Sequence, residues 1–566
     1  MNIPTVRGPL KIETIPRMFR RAAETYPDHP ALLMERENLR QEFTYRELRE
    51  RVEYLARSLR KLGFKHGDKI GLIGENCPDW EASYLGIQWA GCTVVPIDRM
   101  LKAPEIRHIL RNSDSMGIIS TSSSVEVVDE AISEIDRKFK KIVIGKVSKG
   151  WLSHESLVTE GCELPQVEPP INMEDTAALL YTSGTTGQAK GVILTHRNIA
   201  SNVSGAYQVL DFNESDIFLS VLPLHHSFEA TCGFILPMCC GCKIVFSPSL
   251  KSKEILETLA KNGVTLMLGV PLLFEKIVEG VQRNVREAPP FKRFVFNAGM
   301  NIGKIAKGIS KAMFTSVRKT MGMDKVRYLV SGAAALAPWA SSFMERLGLP
   351  VLQGYGLTET SPVISVNRFA NPDNLSVGPV IPGFEIKIDE PDANGNGEIM
   401  VRGESVMKGY YKNEEATREV LSKDGWLRTG DLGRLDQRGF LFITGRAKNM
   451  IVTAAGKNVY PEEVEAVVGQ NPYISEILVI GYHNDATGRE EVHAIIVPNF
   501  ELLDAEKPEI SESELEEFMR AQVFKECEKL ADYKRIKHFE IHEEELPKTT
   551  TKKVKRYLFD KKPVKV

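Results

Sequence analysis

The stretch Tyr181–Thr195, YTSGTTGQAKGVILT, constrains this chain more than any other. From Thr182 to Gly191 it packs three glycines, four hydroxyl side chains and one lysine, and the flanks are apolar: Ala177-Ala178-Leu179-Leu180 before, Val192-Ile193-Leu194 after. Such flanks read as two buried strands, which a free Gly/Thr linker would not have. The polar segment is then a clamped loop. Gly184, Gly187 and Gly191 let the backbone take positive φ and turn N–H groups inward as an anion nest, while Thr182, Ser183, Thr185 and Thr186 add donors and Lys190 a point charge. That composition suits a polyphosphate. It is not the P-loop of NTPases, in which lysine follows the last glycine and precedes Ser or Thr, because no Gly-Lys pair here is followed by either.

The rest of the chain alternates strand and helix. Thr44-Tyr-Arg-Glu47 is a capping box, and Leu48, Val52, Leu55, Leu59 and Leu62 recur behind it at helical spacing until Gly63. Lys69–Ile73 and Thr93–Ile97 read as buried strands flanking a helix around Asp79–Ala90; Ile142–Ile144, Lys243–Phe246 and Val264–Leu268 continue the pattern, which is that of an α/β fold with a mostly parallel sheet. Arg327–Leu329 leads into Val330-Ser-Gly-Ala-Ala334, where Gly332, Ala333 and Ala334 leave room for a flat ring against the backbone. Leu349–Gln353 is another short strand, followed by Gly354-Tyr-Gly-Leu-Thr-Glu-Thr360. Beside Gly354 and Gly356, Tyr355 offers a face for a purine, Thr358 a donor for a phosphate, and Glu359 a hard oxygen for Mg²⁺. Alone, the segment also fits a Gly-rich turn with ordinary polar exposure.

The loop resembles the phosphate-binding loop of the AMP-forming adenylate-forming enzymes: acyl-CoA synthetases, luciferases and peptide-synthetase adenylation domains. The resemblance runs from Thr14 to Arg556 with the motifs in the family's order, and is strongest to the long-chain fatty acid branch, whose excursion Phe291–Lys325 resembles. It implies an α/β fold with a large N-terminal domain of stacked αβ subdomains, residues 1–447, and a smaller mobile α+β domain, residues 448–566. It implies that Ser183–Lys190 hold the β- and γ-phosphates of ATP, that Thr182 and Glu359 position Mg²⁺, that adenine lies at Gly332–Ala334, and that Asp431 and Arg446 hold the ribose hydroxyls. His226, in Leu222-Pro-Leu-His-His-Ser-Phe-Glu229, falls where the family lines its acyl pocket. Lys448 falls at the hinge, and Gly456 where CoA is met. Leu546-Pro-Lys-Thr-Thr-Thr-Lys-Lys-Val-Lys-Arg556 matches the last motif, with Lys553 as the catalytic lysine; Lys552 replaces the family's glycine, which leaves open which of the two lysines enters the site.

The implied reaction is ATP-dependent activation of a carboxylic acid, a medium- or long-chain fatty acid, to an acyl-adenylate, then transfer to CoA. With Arg556 close to the last residue, CoA as a free thiol is the expected acceptor and a separate carrier protein the competitor. Glu229 keeps amino-acid activation open, since a carboxylate can pair with a substrate amine. Luciferase-like oxygenation and a non-catalytic nucleotide-binding relative stay open as well. Adjacent His225 and His226 could form a metal pair, but strand neighbours point to opposite faces.

A net charge of −2 gives no electrostatic ground for binding nucleic acid. Eight cysteines in 566 residues are no disulfide scaffold, which fits a reduced cytosol. The N-terminus lacks the apolar core of a secretory signal, and the longest uncharged stretch, Tyr328–Met344, is broken by Ser331, Gly332, Pro338, Ser341 and Ser342. The expectation is a cytoplasmic protein, with peripheral membrane contact and a homodimer left open.

Overall fold

The structure, a computed structural model, describes residues 5–36, 39–166, 168, 170–182, 189–305, 312–452, 457–484, 489–507, 510–548 and 554–559. Its contacts divide the chain into two units, one of residues 1–336, 340–385 and 401–427, the other of residues 337–339, 386–400 and 428–566.

The first unit holds two eight-stranded sheets. In one, Lys69–Ile73, Thr93–Ile97, Ser115–Thr121, Lys140–Ile144 and Leu152–Ser153 run parallel, joined by Thr176–Thr182, which pairs antiparallel with Lys190–Thr195. In the other, Pro30–Arg36, Lys243–Phe246, Ile217–Ser220, Leu266–Gly269, Tyr328–Ser331 and Val351–Gly356 form a parallel core. Antiparallel strands close its two edges, Leu39–Thr44 and Val363–Val366. Sequences such as KIGLI and TVVPI do not alternate because such parallel strands are covered on both faces.

Helices follow the same logic. In Tyr45–Lys61 the Thr44 hydroxyl accepts from Glu47 N–H, the Glu47 carboxylate accepts from Thr44 N–H, and one face buries Leu48, Val52, Leu55 and Leu59. Pro78–Trp89 is buried on every side, Glu81 included. The strand expected from Val264 begins at Leu266, and that expected at Leu349–Gln353 runs over Val351–Gly356, pairing with Val363–Val366 through Gly354 and Gly356. These glycines are therefore strand residues. Gly356 is required there because a Cβ would stand 1.9 Å from the Pro362 carbonyl oxygen.

The helix His196–Tyr207 ties the unit together. Thr195 caps it, the Asn198 amide donates to the Glu404 and Val406 carbonyls at 2.7 and 2.8 Å, and one turn later the Asn202 amide donates to the Thr360 and Val363 carbonyls at 3.0 and 2.8 Å. Asn202 also accepts from Val363 N–H at 3.2 Å. Residues four apart share a helix face, so this one face holds two distant segments.

In the second unit Ile474–Asn484 and Arg489–Pro498 pair antiparallel and His538–Ile541 adds a parallel strand. Pro461–Val468 and Glu512–Cys527 pack through Val464, Val468, Met519 and Val523 against Val479, Ala494 and Ile496. The strands Leu427–Leu435 and Leu441–Arg446 form a hairpin.

Asn202 is fully buried, so Asn202→Ala removes three buried hydrogen bonds, two to carbonyls and one from an N–H. A loss of about 2–4 kcal/mol in urea unfolding is expected. A loss within error of zero would mean that the clamp carries no load.

Candidate active site

Thr182 and Lys190 stand opposite each other on one rung of the antiparallel pair, so the phosphate-type loop leaves and returns at a single point. Ser183, Gly184, Thr185, Thr186 and Gly187 lie outside the described residues. What stands against the rung comes from far along the chain. Gly409–Tyr410 pairs with the strand Lys190–Thr195, with Tyr410 opposite Val192, and Tyr411 N–H donates to the Gly191 carbonyl at 2.7 Å. The Tyr410 ring centroid lies 5.2 Å from Lys190 Nζ, and its hydroxyl donates to Glu359 Oε1 at 2.8 Å. Met407 N–H meets the Glu359 carbonyl at 2.8 Å. Lys190 and Glu359, 169 positions apart, are thus joined through one phenol. Burial and the Glu359 carboxylate raise the Tyr410 hydroxyl well above the ordinary tyrosine value, which keeps it a neutral donor.

The same neighbourhood extends to the other expected residues of this unit. Thr358 shares a hydrogen bond of 3.3 Å with Ser227, next to His226. The Phe228 ring stands 3.0 Å from where a Cβ of Gly332 would be, and Ala333 holds a φ of +73°. The Gln353 side chain accepts from Leu336 N–H at 3.2 Å, which pins the turn after Ala334. His225 and His226 sit in a turn rather than a strand, with ring centroids 4.2 Å apart, so the opposite-faces argument does not apply to them. His225 Nε2 lies 3.5 Å from Asp98 Oδ2. Among the described residues no group of three His, Cys, Asp or Glu side chains is arranged to hold a metal ion.

In the second unit Asp431 and Arg446 are register partners on the hairpin, with Arg446 Nε 2.9 Å from Asp431 Oδ1. Asp431 is buried and the guanidinium half-exposed, so the carboxylate is fixed while its partner reaches outward. Lys448 lies in the single turn Ala447–Asn449 after this hairpin. Gly456 and Lys553 lie outside the described residues, but the flanks of the latter are held. Lys548 bridges Val554, and Arg556 donates to the Val479 carbonyl at 2.8 Å and to Glu465 at 2.6 Å.

Two members of the site were not legible. Tyr410 sits in Lys408-Gly-Tyr-Tyr411, where a tyrosine pair beside a glycine has no distinctive spacing. Glu81 looks like one acid in an amphipathic helix, yet it is fully buried, as is Glu229 at the start of the π-helical turn Glu229–Ile235. Neither carboxyl meets hydrogen-bond geometry, and Gly233 makes room for Glu229, since a Cβ there would stand 2.6 Å from the carboxyl. Burial pushes Glu229 up to about 8, against the lowering influence of the nearby Ser220 hydroxyl and Val221 amide; burial and then Glu229 raise Glu81. A neutral, enclosed acid is a poor counter-ion for a substrate amine, which weighs against the amino-acid reading.

Fold and site together define an AMP-forming ligase of the adenylate-forming class. The chain belongs to the AMP-binding enzyme family: that family's model matches residues 19–411, and its AMP-binding enzyme C-terminal domain matches residues 463–553. It is 28% identical to a chloroplastic long-chain-fatty-acid–[acyl-carrier-protein] ligase of Arabidopsis thaliana, over 91% of this chain and 80% of that one. It is 29% identical to a long-chain-fatty-acid–CoA ligase of Escherichia coli O157:H7, over 98% and 95%. The fold superposes on o-succinylbenzoate CoA synthetase from Bacillus subtilis, solved with its acyl-adenylate intermediate, with a TM-score of 0.76 at 25% identity, covering 98% of this chain and 100% of that one. It also superposes on ATP-bound MatB from Rhodopseudomonas palustris with a TM-score of 0.77 at 24% identity, covering 96% and 98%.

The sign of the Glu229 effect is fixed. An unfolded carboxyl ionises near 4.5 and the folded one near 8, so the unfolded state holds fewer protons between these values and stability falls as pH rises through that window. Glu229→Gln should therefore gain stability over the parent on going from pH 5 to pH 8, by roughly a few kcal/mol. Equal differences in melting temperature at both pH values would contradict the raised value.

Proposed function

We propose that the protein activates a medium- or long-chain fatty acid with ATP and passes the acyl group to CoA. The observation that carries this is the joining of the loop anchor Lys190 to Glu359 through Tyr410, which puts cationic, hydroxyl and carboxylate groups in one neighbourhood of the first unit. The names of the Arabidopsis and Escherichia coli relatives support the fatty acid.

In the first step a carboxylate oxygen attacks the α-phosphorus of ATP, the bond to the bridging oxygen breaks, and pyrophosphate leaves. Ser183–Gly187 and Lys190 hold the β- and γ-phosphates, Thr358 donates to the α-phosphate, Tyr355 and Gly354–Gly356 border the purine with Gly332–Ala334, and Asp431 and Arg446 bind the ribose. The Thr182 hydroxyl and the Glu359 carboxylate are hard oxygen donors, and with one Glu359 oxygen steadied by Tyr410 they fit Mg²⁺. The ion would offset phosphate charge. Lys553 bridges the two anions as they approach. In the second step the CoA sulfur attacks the acyl carbonyl and AMP leaves; rotation about Lys448 withdraws Lys553 and presents Gly456 to the pantetheine arm. His226 lines the acyl pocket.

A carrier protein is the second acceptor to test, because the Arabidopsis relative's name specifies one. ATP–pyrophosphate exchange across a panel of short to long acids should peak at medium or long chains, and thioester should form with CoA rather than carrier protein. Pyrophosphate release that never depends on an added acid, or none with any acid of the panel, would overturn the reading. Lys553→Ala should cut adenylation by about a hundredfold or more while thioester still forms from pre-made acyl-adenylate; loss of neither step would remove Lys553 from its role.

Tyr410→Phe keeps the ring beside Lys190 and frees Glu359. We expect kcat/KM for ATP to fall about tenfold, with more Mg²⁺ needed for half-maximal rate. An unchanged Mg²⁺ requirement would show that Tyr410 does not position Glu359.

A further inference from the structure

The helix Ala103–Asn112 belongs to none of the motifs that point to a nucleotide, yet its C-terminal end reaches the root of the phosphate-type loop at three places. His108 Nε2 donates to the Ala189 carbonyl at 3.3 Å, one residue before Lys190. One turn on, the Asn112 side-chain carbonyl accepts from the Tyr181 hydroxyl at 2.6 Å, one residue before Thr182. Two residues further, Asp114 Oδ2 accepts from the Tyr411 hydroxyl at 3.0 Å, and Tyr411 N–H is the donor to Gly191. His108 and Asn112 are four apart and share a helix face. One short stretch thus meets the limb by which the chain enters the loop, the limb by which it returns, and the strand laid against the return. Gly191 fits the same pattern, since it is the register partner of Tyr181 and a Cβ there would stand 3.1 Å from that ring.

Two backbone irregularities meet at the end of this stretch. The helices Tyr45–Lys61 and Pro78–Trp89 each leave through a left-handed residue two positions after the last helical one, Gly63 at φ +85° and Gly91 at +83°. After Ala103–Asn112 that position is Asp114, at φ +56°, where glycine would be the easier residue. Its ion-pair partner Lys412, 2.6 Å away, is itself left-handed at φ +53°. Non-glycine residues persist in that conformation where their surroundings hold them to a task. Here one carboxylate oxygen holds Tyr411 and Lys412, and the other faces Arg137 at 3.5 Å. Burial, followed by Tyr411 for Tyr181 and by Asp114 for Tyr411, raises both phenols, which stay protonated donors.

We propose that His108, Asn112 and Asp114 are positioning residues for the phosphate loop: they fix its two limbs at the separation that receives the β- and γ-phosphates of ATP, and serve the ATP half of the reaction alone. This rests on the reading of Ser183–Lys190 as the holder of those phosphates. AMP and the acyl-adenylate carry neither phosphate, so slackening the limbs separates ATP from both.

Titration calorimetry with ATP and with AMP needs no acid and no turnover. Asp114→Gly suits the test because glycine takes this φ without strain, so the variant loses the carboxylate and should keep its melting temperature. It should bind ATP about tenfold more weakly than the parent and AMP as the parent does, and Asn112→Ala should behave likewise. Asp114→Asn, which tolerates the same φ and still offers Tyr411 an acceptor, should stay within about threefold of the parent. In turnover, Asp114→Gly should raise KM for ATP in pyrophosphate exchange while thioester forms at the parent's rate from pre-made acyl-adenylate. Equal weakening of ATP and AMP, or unchanged ATP binding in both Asp114→Gly and Asn112→Ala, overturns the proposal. So does a loss of thioester formation equal to the loss of exchange, since the contacts would then serve the fold at large. A parent that binds ATP but exchanges pyrophosphate with no acid overturns fatty acid activation instead, and the comparison of ATP with AMP still decides the role of Asp114.

Discussion

The short segment Met407–Tyr411 decides whether the first unit has a site. The strand Gly409–Tyr410 is the edge of one eight-stranded sheet and Val363–Val366 the edge of the other. Edge strands carry unpaired N–H and C=O groups that have to be satisfied. Here the satisfaction is mutual: backbone groups of Met407, Lys408 and Tyr411 pair with Glu359, Ile193 and Gly191, and Asn198 and Asn202 cap what is left at Glu404, Val406, Thr360 and Val363. Asparagine suits this task because one amide donates twice and accepts as well. Completing the two sheets and bringing Lys190 to Glu359 are therefore the same event.

That arrangement also governs charge. Lys190 leans on a phenol ring, and among the described residues it has no carboxylate partner, so its positive charge is not neutralised before an anion arrives. The phenol stays protonated and steers Glu359 without adding charge. Deeper in the unit the opposite device operates: Glu81 and Glu229 are enclosed, have no ion-pair partner among the described residues and are held neutral. A full charge at either position would cost several kcal/mol, so the protein spends protonation there and keeps ionised groups for the loop.

Elements whose signal is local were legible in the sequence. The strands Lys69–Ile73, Thr93–Ile97 and Lys243–Phe246 and the Thr44 capping box stand where apolar runs and cap chemistry put them. Asp431 and Arg446, which the resemblance to adenylate-forming enzymes singled out, are register partners on one hairpin. What could not be read depends on meetings between distant segments. Gly356 looks like a turn glycine, but it is a strand residue crossed by the Pro362 carbonyl. His225 and His226 look like strand neighbours, and a turn sets their rings side by side. Tyr410, Asn202 and Glu81 carry no pattern of their own, because their roles are conferred by partners 51, 158 and 148 positions away.

The excursion around Pro290–Ile305 fails to read for a different reason. Its inward stripe, Phe296, Gly299, Met300 and Gly303, and its outward stripe, Phe291, Phe294, Val295 and Ile302, each have helical spacing, but they interleave, so the sum looks apolar without period. Only exposure separates them. Net charge misleads in the same way, since seven cations without an acid between Ala288 and Met323 vanish into a total of −2.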